Sequence, residues 1–468
     1  MDNKKYDVII VGAGPGGLYA ALILVKSNPN IRVAIFEKGK PLNKRKCPIG
    51  SNGITSCIKC DNCSIMSGFG GAGAFSDGKF NITNDFGGEL SQYIGELQTL
   101  IEMKQVDAIN LQLSESAQNI PTYSTKNSPL KKICLQNGLT LLDASVRHYG
   151  TDINYEILSS IYKVLRENKV DFYFSTTIEV INSLADINQY WLTTNKGEVY
   201  KCNYCIVSAG RSGSKWIEKV CDDLNIPTTS NHIDLGVRVE LPAEVFSHIT
   251  DELYESKIVY RTRVYEDLVR TFCMNPRGSV VNENTNNIVT VNGHSFNSEE
   301  LKTNNTNFAL LVSKNFSEPF HDSIGYGESI AKLSNMLGNG AIIQRFGDLI
   351  RGRRSTPKKI DENTVRPTLN ATPGDLSLVL PKRILDDIIE MIYALDKIAP
   401  GTANDDTLLY GVEVKFYNMK VSVDNTLQAK GYENLYMIGD GSGITHSLSQ
   451  AAASGIFVAK EILNKLKT

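Results

Sequence analysis

The N-terminal stretch YDVIIVGAGPGGLYAALILVKSNPNIRVAIFEKG leaves few folds open. The apolar run Tyr6 to Val11 reads as a buried strand. Pro15 to about Lys26 carries Leu18, Ala21, Leu22 and Val25 at helical spacing, and Ile31 to Phe36 reads as a second strand. In the turn between strand and helix, Gly12 permits a tight bend, Gly14 lets the backbone approach a pyrophosphate, and Gly17 lets the helix pack on the strand. Pro15 and Gly16 open a helix whose N-terminal amides and dipole favour an anion. Glu37 closes the second strand, with Lys38 beside it, where a carboxylate can accept both ribose hydroxyls of an adenosine. The pattern predicts a dinucleotide-binding βαβ unit, and the carboxylate disfavours a 2′-phosphate, leaving FAD or NAD rather than NADP.

The far end of the chain separates those two. ENLYMIGDGSGITHSLSQAAASGIFVAKEIL reads as a short strand (Leu435 to Ile438), the turn Gly439-Asp440, and a helix with Leu448, Ala452, Gly455, Ala459 and Ile462 on one face. Asp440 can accept a hydrogen bond from a sugar-alcohol chain, and the helix start at Ser449 and Gln450 can aim amides at a ring edge carrying negative charge. NAD has no ribityl chain, so the two ends together predict an FAD site. A third piece, NYCIVSAGRSGSKWIEKV, is a buried strand leading to Gly210 and Arg211 and then a helix, and it marks where the chain leaves the nucleotide domain.

The 468 residues suffice for one large domain or two interleaved ones. The expected fold is α/β: an FAD-binding Rossmann-like domain, a parallel sheet with an antiparallel meander over residues 172 to 200, made of residues 1–85, 140–231 and 401–468. An inserted sheet-rich substrate or cap domain takes residues 86–139 and 232–400, a region whose strands are separated by Thr- and Asn-rich segments. With 49 basic against 51 acidic residues, no electrostatic case for nucleic acid or acidic lipid arises. No run of about 18 apolar residues and no apolar leader is apparent, so a cytoplasmic protein without a membrane span is expected.

The chain resembles the FAD-dependent dehydrogenases of the glutathione-reductase-like flavoprotein superfamily, relatives by fold of the hydroxybenzoate hydroxylase and geranylgeranyl reductase groups. The resemblance runs through DVIIVGAGPGGLYAALIL, GFGGAGAFSDGK, VSAGRSGSKW, TPGDLSLVLP, DTLLYGVEVKFYN and LYMIGDGSGITHSLSQAAASGI. It implies the two-domain flavoprotein fold and a redox reaction. It also implies that Gly70, Gly71 and Gly73 lie against the isoalloxazine ring, where backbone can approach a flat ring only without Cβ atoms. Ser76, Asp77 and Lys79 then emerge beside the ring as candidate catalytic groups that tune hydride transfer. His446, where the family more often has arginine, is either a substrate-side donor or a helix-start residue. Arg277 and His294 stand where the family has glycine and methionine, and Asn275 where it has cysteine, which marks a specialised substrate pocket.

Cys57, Cys60 and Cys63 follow CxxCxxC spacing, with Cys47 ten residues upstream of the first. That set suits a [4Fe–4S] cluster, a zinc ion, or free or redox-paired thiols, and a branch of the resembled family carries a similar stretch. In LLYGVEVKFYN the apolar alternation leaves Glu413 and Lys415 on the opposite strand face, either as polar site residues or as a solvated face. The function expected is an FAD-dependent oxidoreductase, a dehydrogenase or reductase, moving a hydride between flavin N5 and a small-molecule substrate. Its electron partner is transient NAD(P)H or a protein donor, since no second glycine fingerprint occurs. The alternatives are a flavin-dependent monooxygenase and a non-enzymatic flavin/iron–sulfur electron carrier or redox sensor.

Overall fold

The computed structural model describes the chain except residues 1–3, 49–57, 59, 185–188, 254, 286, 296–298, 317–319, 321 and 468. It divides into two compact units, residues 1–123, 144–229 and 418–468 in one and residues 124–143 and 230–417 in the other.

The first unit is organised by a sheet whose middle strand, Lys5–Val11, runs parallel to Val33–Glu37 on one side and Val199–Val207 on the other. Asp171–Phe174 extends the parallel pairing beyond Val33–Glu37, and Leu435–Met437 pairs parallel with the end of Val199–Val207. The start of Val199–Val207 instead turns into the antiparallel meander Gln189–Thr194 and Ile178–Leu184. All of Val33–Glu37 is buried, as the uninterrupted apolar run of a two-sided parallel strand requires.

Helices Pro15–Ser27 and Leu448–Lys465 cross so closely that a Cβ at Gly455 would stand 2.0 Å from the Gly16 carbonyl oxygen. Helix Glu96–Leu113 packs on the same C-terminal helix, where Lys460 Nζ lies 2.7 Å from the fully buried Glu102 carboxylate. These contacts group residues 86–123 with the first unit rather than with the cap domain expected from the sequence.

The second unit is built on a sheet in which Leu408–Phe416, Ile233–Pro242, Asn305–Lys314, Leu268–Asn275 and Ile258–Arg261 follow one another antiparallel. Pairing of Leu408–Phe416 with Ile233–Pro242 draws residues 401–417 into this unit, away from their expected place in the nucleotide domain. Leu235, Val237, Val239 and Leu241 face apolar packing with Phe308, Leu310 and Val312, and Phe246 lies 4.8 Å, ring to ring, from Phe308. The other face is polar and also buried. On it Asp234, Arg238 and Glu240 alternate along one strand, each with 0% exposure.

Arg238 donates through Nη1 to both Glu413 oxygens at 3.2 Å, through Nε to Asn307 Oδ1 at 2.9 Å and through Nη2 to the Cys273 carbonyl at 2.5 Å. Glu240 accepts from the Tyr410 and Thr368 hydroxyls and from Asn305 Nδ2. Hairpin Ser279–Thr285 and Ile288–His294 closes over part of this network, since a Cβ at Gly293 would fall 1.9 Å from Arg238 Nη2. Glu413 is therefore not on a solvated face. The hairpin covers what alternation alone reads as open surface.

Candidate functional site

In the nucleotide turn of the first unit, Gly12 has φ +106°, and a Cβ on it would lie 2.5 Å from the Ser208 carbonyl oxygen, so both conformation and space require glycine. At Gly17 a Cβ would meet the Gly12 carbonyl at 2.2 Å, which is the helix-on-strand contact expected of it. Gly14 is different: its backbone is extended and a Cβ there meets no protein atom within 4 Å. Pro15 occupies the first helical turn, and the amides that follow lack intrahelical acceptors. The turn thus presents open space in front of a helix N-terminus. A cradle of that kind fits a pyrophosphate.

Glu37 is buried and its carboxylate accepts three backbone amides: Ala13 through Oε2 at 2.9 Å, and Gly39 and Gly68 through Oε1 at 2.8 and 3.0 Å. A carboxylate has about four acceptor sites, so one is left for a ribose hydroxyl rather than the two that the sequence suggests. The residue ties the nucleotide turn to the start of the glycine segment. Lys38 donates to the Ser212 carbonyl at 2.9 Å, and burial lowers its pKa.

The glycine segment forms a short 3-10 helix, Gly71–Phe75, against the start of helix Pro15–Ser27. Gly70 N donates to the Ala13 carbonyl at 2.8 Å. A Cβ at Gly71 would stand 3.3 Å from Gly14 Cα, and one at Gly73 would stand 2.5 Å from Leu448 Cδ2. Three distant pieces of sequence therefore converge at Gly14, Gly71 and Leu448.

What anchors the segment is Arg45, which sequence reasoning missed. Its buried guanidinium donates to the Ser64, Ile65, Phe69 and Gly71 carbonyls at 2.6–2.9 Å and stacks 4.8 Å from the Phe75 ring centre. Burial pushes its pKa down to about 10. The run NKRKC looks like solvated charge, and only the density of orphan carbonyls in the glycine segment hints at a buried donor.

Ser76 donates to the Gly73 carbonyl at 2.7 Å and closes the 3-10 turn. Asp77 Oδ2 lies 3.2 Å from Lys79 Nζ and 3.4 Å from His148 Nε2. Lys79 and His148 are cross-strand partners in the pairing of Lys79–Ile82 with Ser145–His148, so strand register brings this histidine to Asp77 from 71 positions away. Burial works to raise the Asp77 pKa, but His148 and Lys79 outweigh it and hold the carboxyl below the usual range.

Asp440 accepts from Arg211 Nε at 2.7 Å and lies 3.2 Å from His446 Nδ1. Burial opposes its charge, yet the Arg211 and His446 side chains keep it ionised below the ordinary carboxylate pKa. A Cβ at Gly210 meets nothing within 4 Å, and Gly439 takes φ +73°. Gln450 reaches back to Leu90 N, accepting at 3.3 Å, while Ser447 caps the helix by accepting from Gln450 N. The Thr445 and Ser449 hydroxyls are buried with no hydrogen-bond partner among the described residues. These orphaned hydroxyls flank Leu448, the residue that meets Gly73, and are a second sign that the first unit is shaped around a polar ligand.

Arg277 and His294 belong to the second unit, both exposed, at the same end of the hairpin that starts at Ser279. Of the cysteine set, Cys57 lies outside the described residues. Cys60 and Cys63 are exposed and Cys47 is partly exposed, and among the described residues no three His, Cys, Asp or Glu side chains are gathered as metal ligands. No described helix is long and apolar enough to cross a membrane.

Residues 232–416 match the family model described as FAD-dependent protein, C-terminal domain-like. An uncharacterized protein of Clostridium beijerinckii is 24% identical over 483 residues, covering 99% of this chain and 82% of that relative. A 4,4'-diapophytoene desaturase (4,4'-diapolycopene-forming) of Methylomonas sp is 47% identical over 55 residues, 12% of this chain and 10% of the desaturase. Among solved structures, L-proline dehydrogenase from P. horikoshii is 15% identical with a TM-score of 0.41, covering 99% of this chain and 95% of that one. The chain thus has a mixed α/β fold with a dinucleotide-type βαβ turn in its first unit, and residues 232–416 are similar to the C-terminal domain of FAD-dependent proteins.

Proposed function

We propose that this chain is an FAD-dependent oxidoreductase, a dehydrogenase or reductase acting on a small organic substrate. The observation that carries the reading is the empty approach to Gly14 at a helix start, with the Thr445 and Ser449 hydroxyls left unspent in the same unit. FAD, when bound, supplies a ring that takes or gives a hydride at N5.

The chain's own residues do the rest. The helix start at Gly14, Pro15, Gly16 and Gly17 receives the pyrophosphate. Glu37 keeps one acceptor position for the adenosine ribose, while Asp440, Ser449 and Gln450 serve the ribityl side. Gly70, Gly71 and Gly73 keep the backbone low where the ring lies, and Arg45 holds them there. Asp77, held ionised by Lys79 and His148, orients the His148 imidazole through Nε2. Electrons come from or go to transient NAD(P)H or a protein partner. The glutathione-reductase-like placement rests on the motif resemblance. The four-cysteine stretch enters no step of this reading.

Purified protein is expected to be yellow and to release FAD on heating or acidification. Released FMN would remove the pyrophosphate role of the Gly12 to Gly17 turn. Anaerobic bleaching of the bound flavin by members of a panel of small organic acids, amines and alcohols tests the oxidoreductase class. Oxygen-dependent hydroxylation of the same compounds would move the assignment to a monooxygenase.

A further inference from the structure

Three cationic side chains of the second unit gather round one aromatic ring. Lys257 Nζ lies 4.4 Å from the centre of the Phe272 ring, the Arg270 guanidinium carbon 5.3 Å and Lys415 Nζ 5.8 Å. They arrive on different strands. Arg270 and Phe272 are two apart on Leu268–Asn275, Lys257 immediately precedes the neighbouring strand Ile258–Arg261, and Lys415 lies on Leu408–Phe416, with two strands between. On the intervening strands Gly236 lies opposite Glu413 and Leu311, and Ala309 lies opposite Phe272.

Three like charges about one ring repel one another unless something holds them. Each is held by an acid: Lys257 by Glu255 at 2.8 Å, Arg270 by Asp234, and Lys415 by Glu413 at 3.1 Å with Glu283 at 3.9 Å. The depth of these pairs is the informative feature. Asp234 and Glu413 are 0% exposed, while their partners Arg270 and Lys415 keep 20% and 12%. At Arg270 and Lys415 a buried acid thus supports a more exposed cation, while Glu255 and the half-exposed Glu283 share the rim, and the partly exposed Phe272 ring lies among them.

Arg270 is also incompletely used. Arg270 Nη2 serves Asp234 and the Tyr417 hydroxyl, but Nε of the same guanidinium is buried with no acceptor among the described residues. A buried guanidinium donor without an acceptor calls for an anion. The ring beside it calls for carbon rather than for a bare inorganic ion.

We propose that this polar face of the second unit binds a small organic acid, its carboxylate held by Arg270 and Lys415 and its flat carbon frame resting on Phe272. The inference names the substrate class of the oxidoreductase read above and rests on that reading for its catalytic meaning. Binding itself is independent of the flavin and is measured separately.

The test is calorimetric titration of the full-length protein with benzoate and phenylacetate, with their uncharged amides, and with inorganic phosphate, in parent protein and in Lys415→Met, Lys257→Met and Phe272→Leu. The carboxylates are expected to bind at least tenfold more tightly than the amides and than phosphate. Lys415→Met should weaken carboxylate binding tenfold or more with an unchanged circular dichroism spectrum, and Phe272→Leu should erase the preference of benzoate over phosphate. Equal binding of acid and amide, phosphate binding as tightly as benzoate, or folded variants that bind like the parent would each overturn the proposal. Flavin absorbance of the same samples separates the two readings. Protein that binds benzoate but never holds FAD loses the oxidoreductase reading alone, and yellow protein that ignores carboxylates loses this inference alone.

Discussion

Arg238 and Glu413 meet at 3.2 Å through both carboxylate oxygens, and neither side chain is exposed to solvent at all. Removing one partner leaves the other charge buried, an imbalance that typically costs about 3–5 kcal/mol. Glu413→Ala is therefore expected to lower the melting temperature by on the order of 10 °C, since about 1 kcal/mol moves a unit of this size by some 2–4 °C. Calorimetry of the variant checks this, and a change within 2 °C of the parent, about the effect of half a kcal/mol, would show that water reaches the Arg238 guanidinium and replaces the lost acid.

Gly14 and Gly17 lie three residues apart in one turn and should fail in different ways. A side chain at Gly14 meets only open space in the protein, whereas one at Gly17 collides with the Gly12 carbonyl at 2.2 Å. Gly14→Val should keep the fold and its melting temperature in the flavin-free state while abolishing FAD retention. Gly17→Val should reduce soluble, folded protein. If Gly14→Val stays yellow, the pyrophosphate does not lie there.

Lys79 and Asp77 form a partly exposed pair at 3.2 Å, so each offsets the other's field. Lys79→Met leaves Asp77 with His148 alone and is expected to lower the flavin midpoint potential. Asp77→Asn should raise it. Shifts on the order of 30 mV, about 1.4 kcal/mol for two electrons, are the scale for such a solvent-screened pair. Potentiometric titration of both variants measures them, and two potentials equal to the parent's would place this pair away from the ring.

The cysteine stretch predicts that anaerobically purified protein holds iron with acid-labile sulfide, or one zinc. Either should be lost in the double variant Cys57→Ser, Cys60→Ser, because serine is a poor ligand for soft sites. Metal at background in protein never exposed to oxygen leaves thiol or disulfide chemistry as the function of these residues.

Asp387, on helix Lys382–Asp396, is pushed up to about 6 by burial and by the Asp267 carboxylate beside it. A carboxyl with a pKa raised above its unfolded value near 3.9 binds its proton more tightly when folded. Its contribution is thus present at low pH and lost as pH rises through about 6. Parent protein should lose stability relative to Asp387→Asn between about pH 4 and 6, and parallel stability curves in denaturant titrations across that window would contradict the assignment.

Much of the first unit is legible in sequence because its signals are local. Strand, glycine turn and helix follow one another within about thirty residues, and the apolar run of Val33–Glu37 has the look of a strand covered on both sides. The parallel sheet with its antiparallel meander follows from such runs. Long-range pairing is where reading stops. His148 reaches Asp77 through strand register, and Arg45 finds its four carbonyls only after the chain folds back. Glu413 alternates with apolar neighbours as a solvated residue does, and nothing nearby in sequence announces that a hairpin more than a hundred residues earlier covers it. Residues 86–123 carry no mark of their unit because what places them, the helix Leu448–Lys465, comes over three hundred residues later.

The glycine-to-glycine crossing of Gly16 and Gly455 also sets a schedule. A ribosome adding roughly 5–20 residues per second takes on the order of 20–90 s to travel between them. Throughout that interval the first helix has emerged with its buried face, including Leu18, Ala20 and Leu24, uncovered by the helix that will finally close it. The nucleotide turn is thus made long before the helix that packs behind it, and the apolar face of helix Pro15–Ser27 waits for Leu448–Lys465 before its packing is complete.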